Sequence, residues 1–302
     1  MDRLAVMETF VRVVETKSFS AAAKFLNVGQ PAVSKSIAQL ERRLRVRLLM
    51  RSTRGLMLTE AGRNFYERAR RAIQEADEAD LAARGAGADL VGHLRVSAGE
   101  AFGSLHIVPR LPAFMAAHPN LEVDLILQDR PLDLLEECID LAIRTWGFCD
   151  HSLTAHKIAA GRHVVVGTPT YFEQAGIPNT PAELTTHTAI IHAHPSGGDT
   201  WSFRRGASEV SVDTMGRLRV SAAPGVRAAV LAGMGFAIAS EWMFAPELRS
   251  GAVRTVLGEW TLPAADVWAV FPLGRIASAK GRAFAAFMEA EFQSATSARE
   301  AA

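Results

Sequence analysis

The sequence contains few cysteines and no long apolar run. Its 302 residues include two cysteines, Cys138 and Cys149, which are too few for a disulfide framework and are typical of a reducing compartment. The longest apolar stretch without a charged residue runs from Ala228 to Ser240 and has 13 residues, whereas a membrane-spanning helix needs about 20. The charged start at Asp2 and Arg3 precedes no apolar core, so no secretory signal is evident. We therefore expect a cytoplasmic protein that binds no membrane.

The sequence also lacks the motifs that carry most catalytic chemistry. It contains no Gly-x-Ser-x-Gly nucleophile motif, no P-loop and no Gly-x-Gly-x-x-Gly after a predicted strand. His192 and His194 share one face of a predicted strand, but no third Cys, His or carboxylate stands at a spacing typical of a metal site. We therefore expect a protein that is not an enzyme and that holds neither a metal ion nor a cofactor.

The formal net charge is small but unevenly distributed. The whole chain carries a net charge of +1, which by itself argues against a nucleic-acid partner. Residues 1–71, however, hold 15 basic and 6 acidic residues, a net charge of +9, and the remainder holds 18 basic and 26 acidic residues, a net charge of −8. Such asymmetry indicates a basic nucleic-acid-binding segment joined to a different kind of domain.

Apolar residues at helical spacing organise the start of the chain. They predict a helix over residues 3–16 and a short second helix over residues 21–26, with Ser20 as its N-cap. A third helix opens at Gln30-Pro31, where the missing proline N–H costs nothing. Its buried stripe is expected to consist of Val33, Ile37, Leu40 and Leu44.

A β-hairpin and a long helix are predicted to follow. Residues 46–58 alternate around a basic tip that contains a glycine, a pattern typical of a wing. Thr59 caps a helix that runs to about Arg84 and whose apolar edge is narrow and rich in alanine. This edge favours packing between two chains, and a single-chain amphipathic helix is the alternative. The candidate dimerisation residues are Phe65, Ala69, Ile73 and Ala76.

A helix–turn–helix followed by a basic wing is typical of a protein that reads duplex DNA. The third helix fits the major groove, where all four base pairs differ, and basic wing residues suit the phosphate backbone or the minor groove. The alternative is that any amphipathic three-helix bundle has one polar face. The candidate DNA-contact residues are Ser20, Gln30, Pro31, Ser34, Lys35, Arg51, Thr53 and Arg54.

Beyond a Gly-Ala hinge at residues 85–89, strands and helices alternate in an α/β pattern. Ligands of such folds bind beyond the carboxyl ends of the strands. A helix beginning near Phe102 would offer the N–H groups of Gly103 and Ser104 to an anion, whereas the Glu100 carboxylate favours an amine, a hydroxyl or a neutral group. For each residue, packing is the alternative role. The candidate effector-contact residues are Glu100, Phe102, Gly103, Ser104, Asp129, Thr145, Trp146, Trp201 and Pro224.

A series of short motifs runs along nearly the whole chain: Phe19-Ser-Ala-Ala-Ala, Gln30-Pro-Ala-Val-Ser34, Leu40-Glu41, Leu48, Arg51, Leu58-Thr-Glu-Ala-Gly62, Ala101-Phe-Gly, Asp140-Leu-Ala-Ile-Arg144 and Ala232-Gly-Met-Gly235. In order and spacing these motifs resemble those of LysR-type transcriptional regulators. The resemblance covers nearly the whole chain. It implies a homodimer or homotetramer that binds double-stranded DNA and a small-molecule effector, and three departures stand out. Gly29 replaces a helix-capping Ser, and Leu49 replaces a Phe. Arg45 replaces a Gly, so that either Arg45 adopts a strained left-handed conformation or the turn differs.

The expected fold is multi-domain, with an all-α winged helix–turn–helix DNA-binding domain and a two-lobed α/β effector domain like a periplasmic binding protein. The predicted segments are a DNA-binding domain over 1–58, a dimerisation helix over 59–84, a hinge over 85–92 and an effector-binding domain over 93–302. Within the last, lobe I spans about 93–162 and 269–302 and lobe II about 163–268.

Two other functions fit parts of this pattern. The first is an α/β binding protein or enzyme whose N-terminal bundle only mediates association, although the basic wing and the missing signal peptide speak against it. The second is a regulator that has lost its effector. Specific DNA binding and stabilisation by a small molecule would discriminate among the three.

Overall fold

The structure is a computed structural model. It describes residues 2–52, 55–84, 90–130, 132–134, 137–145, 153–193, 200–272 and 277–300. The chain forms two compact units. The first comprises Met1–Asp89 with Leu135–Cys138, and the second comprises Leu90–Leu134 with Ile139–Ala302.

The first unit is a three-helix bundle with a hairpin and a long helix. Its elements are α1 (Arg3–Thr16), α2 (Phe19–Phe25), α3 (Gln30–Leu44), β1 (Leu49–Ser52), β2 (Gly55–Leu58) and α4 (Glu60–Arg84). β1 and β2 are antiparallel, with Ser52 opposite Gly55. The core contains Phe10, Val33, Ile37 and Leu40. Leu44, expected to complete this stripe, is exposed, because α3 ends there and the chain turns away.

The ends of these helices follow from local hydrogen bonds. Ser18, not Ser20, is the N-cap of α2 and accepts a bond from the N–H of Ala21, 3.3 Å away, because the helix begins two residues earlier than predicted. Gly29 supplies no side-chain cap to α3, as expected. Arg45 ends α3 in the left-handed conformation with φ of 56°, a conformation that costs a residue with a Cβ about 1 kcal/mol.

The second unit contains two groups of strands with helices around them. Its strands are β3 (Gly92–Ala98), β4 (Leu121–Leu127), β5 (Leu141–Arg144), β6 (Leu153–Ala159), β7 (His163–Gly167), β8 (Ile190–His192), β9 (Thr200–Arg205), β10 (Ser208–Asp213), β11 (Leu218–Val220), β12 (Ala237–Ser240), β13 (Arg254–Val256) and β14 (Val267–Pro272). Its α-helices are α5 (Glu100–Phe102), α6 (Leu111–Ala117), α7 (Pro169–Ala175), α8 (Ala223–Leu231), α9 (Ala245–Ser250) and α10 (Ala279–Glu300). A π-turn at Gly103–Ile107 and a 3₁₀ turn at Val108–Arg110 connect α5 to α6, and further 3₁₀ turns occur at Pro181–Thr186 and Glu241–Phe244.

The first group is a five-stranded sheet with the order β4-β3-β5-β14-β6. β3 runs parallel to β4 on one side and to β5 on the other, whereas β14 is antiparallel to β5 and β6. The chain therefore leaves β3 in one direction and returns on its other side. This reversal makes the carboxyl end of β3 a topological switch point.

The second group is built around β7. β12 and β13 flank β7 antiparallel, β11 pairs with β8 in parallel, and β9 pairs with β10. Side chains alternate along β7, so Val164 and Val166 pack with α8 on one face while Val165 packs on the other. Because both faces are covered, β7 reads as a continuous apolar run.

Several elements differ from the sequence-based expectations. The sequence pattern also predicts a short helix over residues 132–137, but its described residues form turns or irregular structure. It predicts none of β6, β9, β10, β13 and α7. The first helix of the second unit begins at Glu100 rather than Phe102. Among the helices described here, none has the length and apolarity needed to cross a membrane.

Candidate nucleic-acid interface and ligand cleft

The exposed side of α3 carries four of the eight predicted DNA-contact residues. Gln30, Ser34 and Lys35 follow helical spacing onto one side, and together with Pro31 and Ser20 of α2 they are exposed. Within the described part of the chain, no other side chain bonds or pairs with Gln30, Ser34 or Lys35. These three side chains are therefore available for contact with another molecule.

A buried carboxylate that sequence reasoning did not assign holds the hairpin against α3. Glu41 is the one acidic residue of α3, and its Oε1 accepts bonds from the N–H groups of Leu48 at 2.8 Å and Leu49 at 3.1 Å. Its Oε2 pairs with Arg47 at 3.0 Å. The exposed side of α3 is thereby free of negative charge. The available signal was position, since Glu41 lies four residues after Ile37, on the apolar side of the helix.

The hairpin is joined closely to the start of α4. Thr59 caps α4 as predicted, because its Oγ1 accepts a bond from the N–H of Gly62 at 2.9 Å. A Cβ at Gly62 would overlap the carbonyl oxygen of Leu48, so only glycine fits there. The backbone of Arg51 lies in β1, whereas Thr53 and Arg54 lie outside the described residues.

Two of the predicted dimerisation residues pack inside the first unit. Phe65 meets Phe10 edge to face, with ring centroids 5.3 Å apart, and Ala69 is buried. Ile73 and Ala76 are partly buried. The apolar edge of α4 thus serves the core of its own unit at Phe65 and Ala69, as the single-chain alternative expected.

In the second unit, the predicted ligand site begins at the switch point. Gly99 follows β3, Asp129 follows β4, and Thr145 follows β5. Asp129 Oδ1 accepts a bond from the N–H of Glu100 at 2.9 Å, and Oδ2 accepts one from the N–H of Ala223 at 2.6 Å. The structure therefore brings together the segments containing Glu100 and Asp129 with the start of α8, where Pro224 is exposed.

Arg144, the last residue of the Asp140–Arg144 motif, is a cation at the end of β5. The guanidinium of Arg144 donates to Ser97 Oγ at 3.1 Å and to the carbonyl of Ile143 at 3.3 Å. Burial lowers the pKa of Arg144, and the negative charge of Asp129 partly offsets this effect. Arg144 and Asp129 therefore interact across the switch point.

The expected anion site at Gly103 and Ser104 is corrected by the structure. The N–H of Gly103 already donates to the carbonyl of Gly99 at 2.8 Å, because the helix starts at Glu100. A Cβ at Gly103 would overlap the side chain of Leu127, so this glycine permits close helix–strand packing. Ser104 is exposed on the following turn.

Two predicted aromatic walls are placed differently. Phe102 is buried in a cluster with His106, Trp242 and Phe292, with ring centroids 5.0, 6.0 and 5.9 Å from its own. The ring of Trp201 packs at a tilt of 60° against His163, with ring centroids 5.1 Å apart, on the face of β7 opposite α8. The expectation that Trp201 converges with the other residues is therefore wrong, because the sheet separates them. Trp146 lies outside the described residues.

Metal binding finds no support in the part of the chain that the structure describes. No group of three or more His, Cys, Asp or Glu side chains there could hold a metal ion. Of the paired candidates, His194 lies outside the described residues, as does Cys149.

Two family models match the chain and together cover most of it. The model described as a bacterial regulatory helix-turn-helix protein of the lysR family matches residues 4–63. The model described as a LysR substrate binding domain matches residues 87–293. The first match contains α1 to the start of α4, and the second contains the switch point.

Whole proteins and solved structures agree with these models. The chain is 37% identical to an HTH-type transcriptional regulator of Xanthomonas campestris over 92% of this chain and 82% of the relative. It is 33% identical to the HTH-type transcriptional regulator PtxR of Pseudomonas aeruginosa, over 91% and 88%. Among solved structures, the chain is similar to that of CrgA, a LysR-type transcriptional regulator from Neisseria meningitidis. The match covers 95% of this chain and 98% of the CrgA chain, with 27% identity and a TM-score of 0.62.

Proposed function

The chain belongs to the LysR family of bacterial transcriptional regulators, and from this membership we propose how its two units divide the work. It is a DNA-binding transcriptional regulator with an effector-binding domain. The first unit reads duplex DNA through α3 and the β1–β2 hairpin. The second unit senses a small molecule at the carboxyl ends of β3, β4 and β5, and this event changes how the oligomer engages its promoter.

The observation that carries the proposal is the exposed, carboxylate-free side of α3. A helix presented to the phosphate-lined major groove gains from positive charge and is opposed by negative charge. The acidic residue of α3, Glu41, is buried and bonded, whereas Lys35 and Arg42 are exposed. The same surface thus offers charge for the backbone and amide or hydroxyl groups for base edges.

Each predicted contact residue has a role that suits its chemistry. Gln30 reads a base edge, with adenine as the base it pairs with best. Ser34 and Lys35 reach a base edge or a phosphate, and Ser20 and Pro31 pack on the backbone beside them. The wing residues that bind phosphate or enter the minor groove are Arg51, Thr53 and Arg54.

The proposed effector site and assembly rest on fewer residues than the sequence suggested. Glu100, Asp129, Thr145 and Pro224 remain its candidate walls, and we propose that they lie between lobe I (about 93–162 and 269–302) and lobe II (about 163–268). We propose that Ile73 and Ala76 of α4 form contacts between two copies of the chain in a dimer or a tetramer. We further propose that this oligomer acts in the cytoplasm.

A salt titration of DNA binding tests the first part. A high-affinity duplex would be selected from a random pool, and the affinity of the wild type and of a Lys35→Ala, Arg51→Ala double variant would be measured across salt concentrations. Because each phosphate contact contributes about 0.9 to the slope of log affinity against log salt, the double variant should lower that slope by up to about two.

Arg254→Ala is the matched control, since it removes an exposed positive charge from the second unit. It should leave the slope unchanged. If the double variant keeps the wild-type affinity and slope, α3 and the hairpin are not the DNA-binding surface. If the wild type binds selected and random duplexes equally, instead of about 10³-fold apart or more, the chain is not a specific regulator.

A thermal-shift screen tests the second part. Small aromatic, hydroxylated and amine metabolites would be added to the full chain, because a ligand at 100 times its Kd stabilises by about 2.7 kcal/mol. Stabilisation that is lost in Thr145→Val supports the proposed cleft. A panel without any stabilising compound speaks against a metabolite-binding site of these classes.

A further inference from the structure

Among the described helices of the second unit that begin without a side-chain cap of their own are α5 and α8. The residues at their N-cap positions, Gly99 before α5 and Ala222 before α8, make no side-chain bond to the helix start. The first N–H groups of a helix have no intrahelical partner, and an anionic oxygen placed there is stabilising. Both helices therefore need an acceptor from elsewhere in the chain.

One carboxylate supplies this acceptor to both helices. Asp129 Oδ1 lies 2.9 Å from the N–H of Glu100, the first residue of α5, and Oδ2 lies 2.6 Å from the N–H of Ala223, the first residue of α8. α5 follows β3 of the five-stranded sheet, whereas α8 packs on the strands around β7. Asp129 thus links the helix that follows β3 in the first group of strands to the helix that packs on the second group.

The surroundings of Asp129 are shaped for this double contact. A Cβ on Gly99 would lie 3.2 Å from Oδ1, so glycine leaves the carboxylate room. Ala101, in the first turn of α5, is buried in one apolar cluster with Val226 and Ala229 of α8. The two helix starts are therefore in contact through packing as well as through Asp129.

We propose that Asp129 is a positioning residue that holds the two walls of the effector cleft in register by capping α5 and α8 at once. The role of the cleft rests on the proposed function, whereas the double cap does not. An aspartate suits the position because it has two anionic oxygens for two donors. Asparagine retains one oxygen, so it can serve one helix start and must turn its NH₂ group toward the other donor.

Amide hydrogen exchange measured on the full chain without DNA tests the proposal. Wild type would be compared with Asp129→Ala and Asp129→Asn, with peptides covering the starts of α5 and α8 followed separately. Asp124→Ala is the control, since Asp124 is a half-exposed carboxylate on β4 that pairs with Arg95 and not with a helix start.

We expect exchange at both helix starts to accelerate by about 10-fold or more in Asp129→Ala, and at one of them in Asp129→Asn. Exchange in β7 should stay at the wild-type rate, and Asp124→Ala should alter neither helix start. If Asp129→Ala does not fold, the asparagine variant alone decides. Wild-type exchange at both helix starts in the variant examined overturns the proposal, as does equal acceleration of both helix starts and β7. Either result is independent of the DNA titration, which can fail or succeed by itself.

Discussion

The two units of this regulator build their sites in opposite ways. In the first unit, the proposed DNA-contact face comes from a short stretch of chain, with α3 and the adjoining hairpin inside residues 30–58. In the second, the proposed cleft combines residues as far apart in sequence as Glu100 and Pro224, and Asp129 joins the starts of two helices that are distant in the chain. A local site survives as long as its own helix folds, whereas an assembled site depends on how whole sheets pack.

The sharpest test of this separation is to damage one core at a time. Phe10→Ala and Phe244→Ala each remove a fully buried ring from one unit and should cost about 3–5 kcal/mol in that unit. All five tryptophans lie after residue 145, so tryptophan fluorescence reports the second unit alone. In urea, Phe10→Ala should shift the circular dichroism transition of the helices and leave the fluorescence midpoint in place. A common shift by both probes would mean that the units unfold together.

A smaller effect is expected where the hairpin is held to α3. Glu41→Gln keeps the shape but weakens the charge-assisted bonds to Leu48, Leu49 and Arg47, and should cost about 1–3 kcal/mol. Chemical denaturation followed by circular dichroism measures it, and DNA affinity should fall too because the hairpin is released. Glu8→Gln, an exposed residue of α1, is the control with the same change of charge. Equal effects from both variants would show that charge, not the bonds of Glu41, matters.

A fall in pH is expected to lower the stability of the second unit through a group that the first unit lacks. All nine histidines lie between His93 and His194, so none belongs to α1–α4. Burial lowers the pKa of His163, and the bond to the Pro263 carbonyl only partly offsets this. The folded state therefore resists protonation while the unfolded chain takes up a proton below about pH 6.5, and stability falls as the pH drops through this range. The urea midpoint measured by tryptophan fluorescence should decrease from pH 7 to pH 5. The decrease should be smaller in His163→Gln than in the wild type. A variant with the wild-type pH dependence would exclude His163 as a cause.

The smallest predicted effect concerns two neighbouring serines. Ser18→Ala removes the N-cap of α2 and should cost about 1 kcal/mol, whereas Ser20→Ala should be close to neutral for stability because Ser20 caps nothing. Thermal unfolding of the two variants measures the difference, and the opposite order would restore Ser20 as the cap. Since Ser20 is a proposed DNA contact, its variant should instead weaken DNA binding.

The difference between a local and an assembled site also decides which features can be predicted from the sequence. α1, α3, the hairpin and the cap at Thr59 could be predicted because their signals are local: helical spacing, Pro31 and a threonine before an apolar run. The cap of α2 was misplaced by two residues, since Ser18 and Ser20 are both suitable and only the backbone path decides.

In the second unit, the sequence predicts the alternation of strands and helices better than the places where these elements meet. Trp201 was expected in the cleft, but this residue of β9 packs against His163, on the face of β7 opposite α8. The double contact of Asp129 leaves no sequence signal, because its donors are 29 and 94 residues away. The prediction that the N–H of Gly103 is free to bind an anion is wrong, because the helix starts two residues earlier than expected. Such a shift changes which amide groups lack a partner within the helix.

The close fit of Gly62 against Leu48 decides where this regulator can be cut and rejoined. A chimera that exchanges effector domains at residue 58, the predicted end of the DNA-binding domain, would separate Thr59 and Gly62 from the hairpin they support and Phe65 from its partner Phe10. A junction placed beyond Ala69, which is also buried, keeps these contacts within the transplanted piece. The portable DNA-reading module of this chain therefore includes the first turns of its long helix.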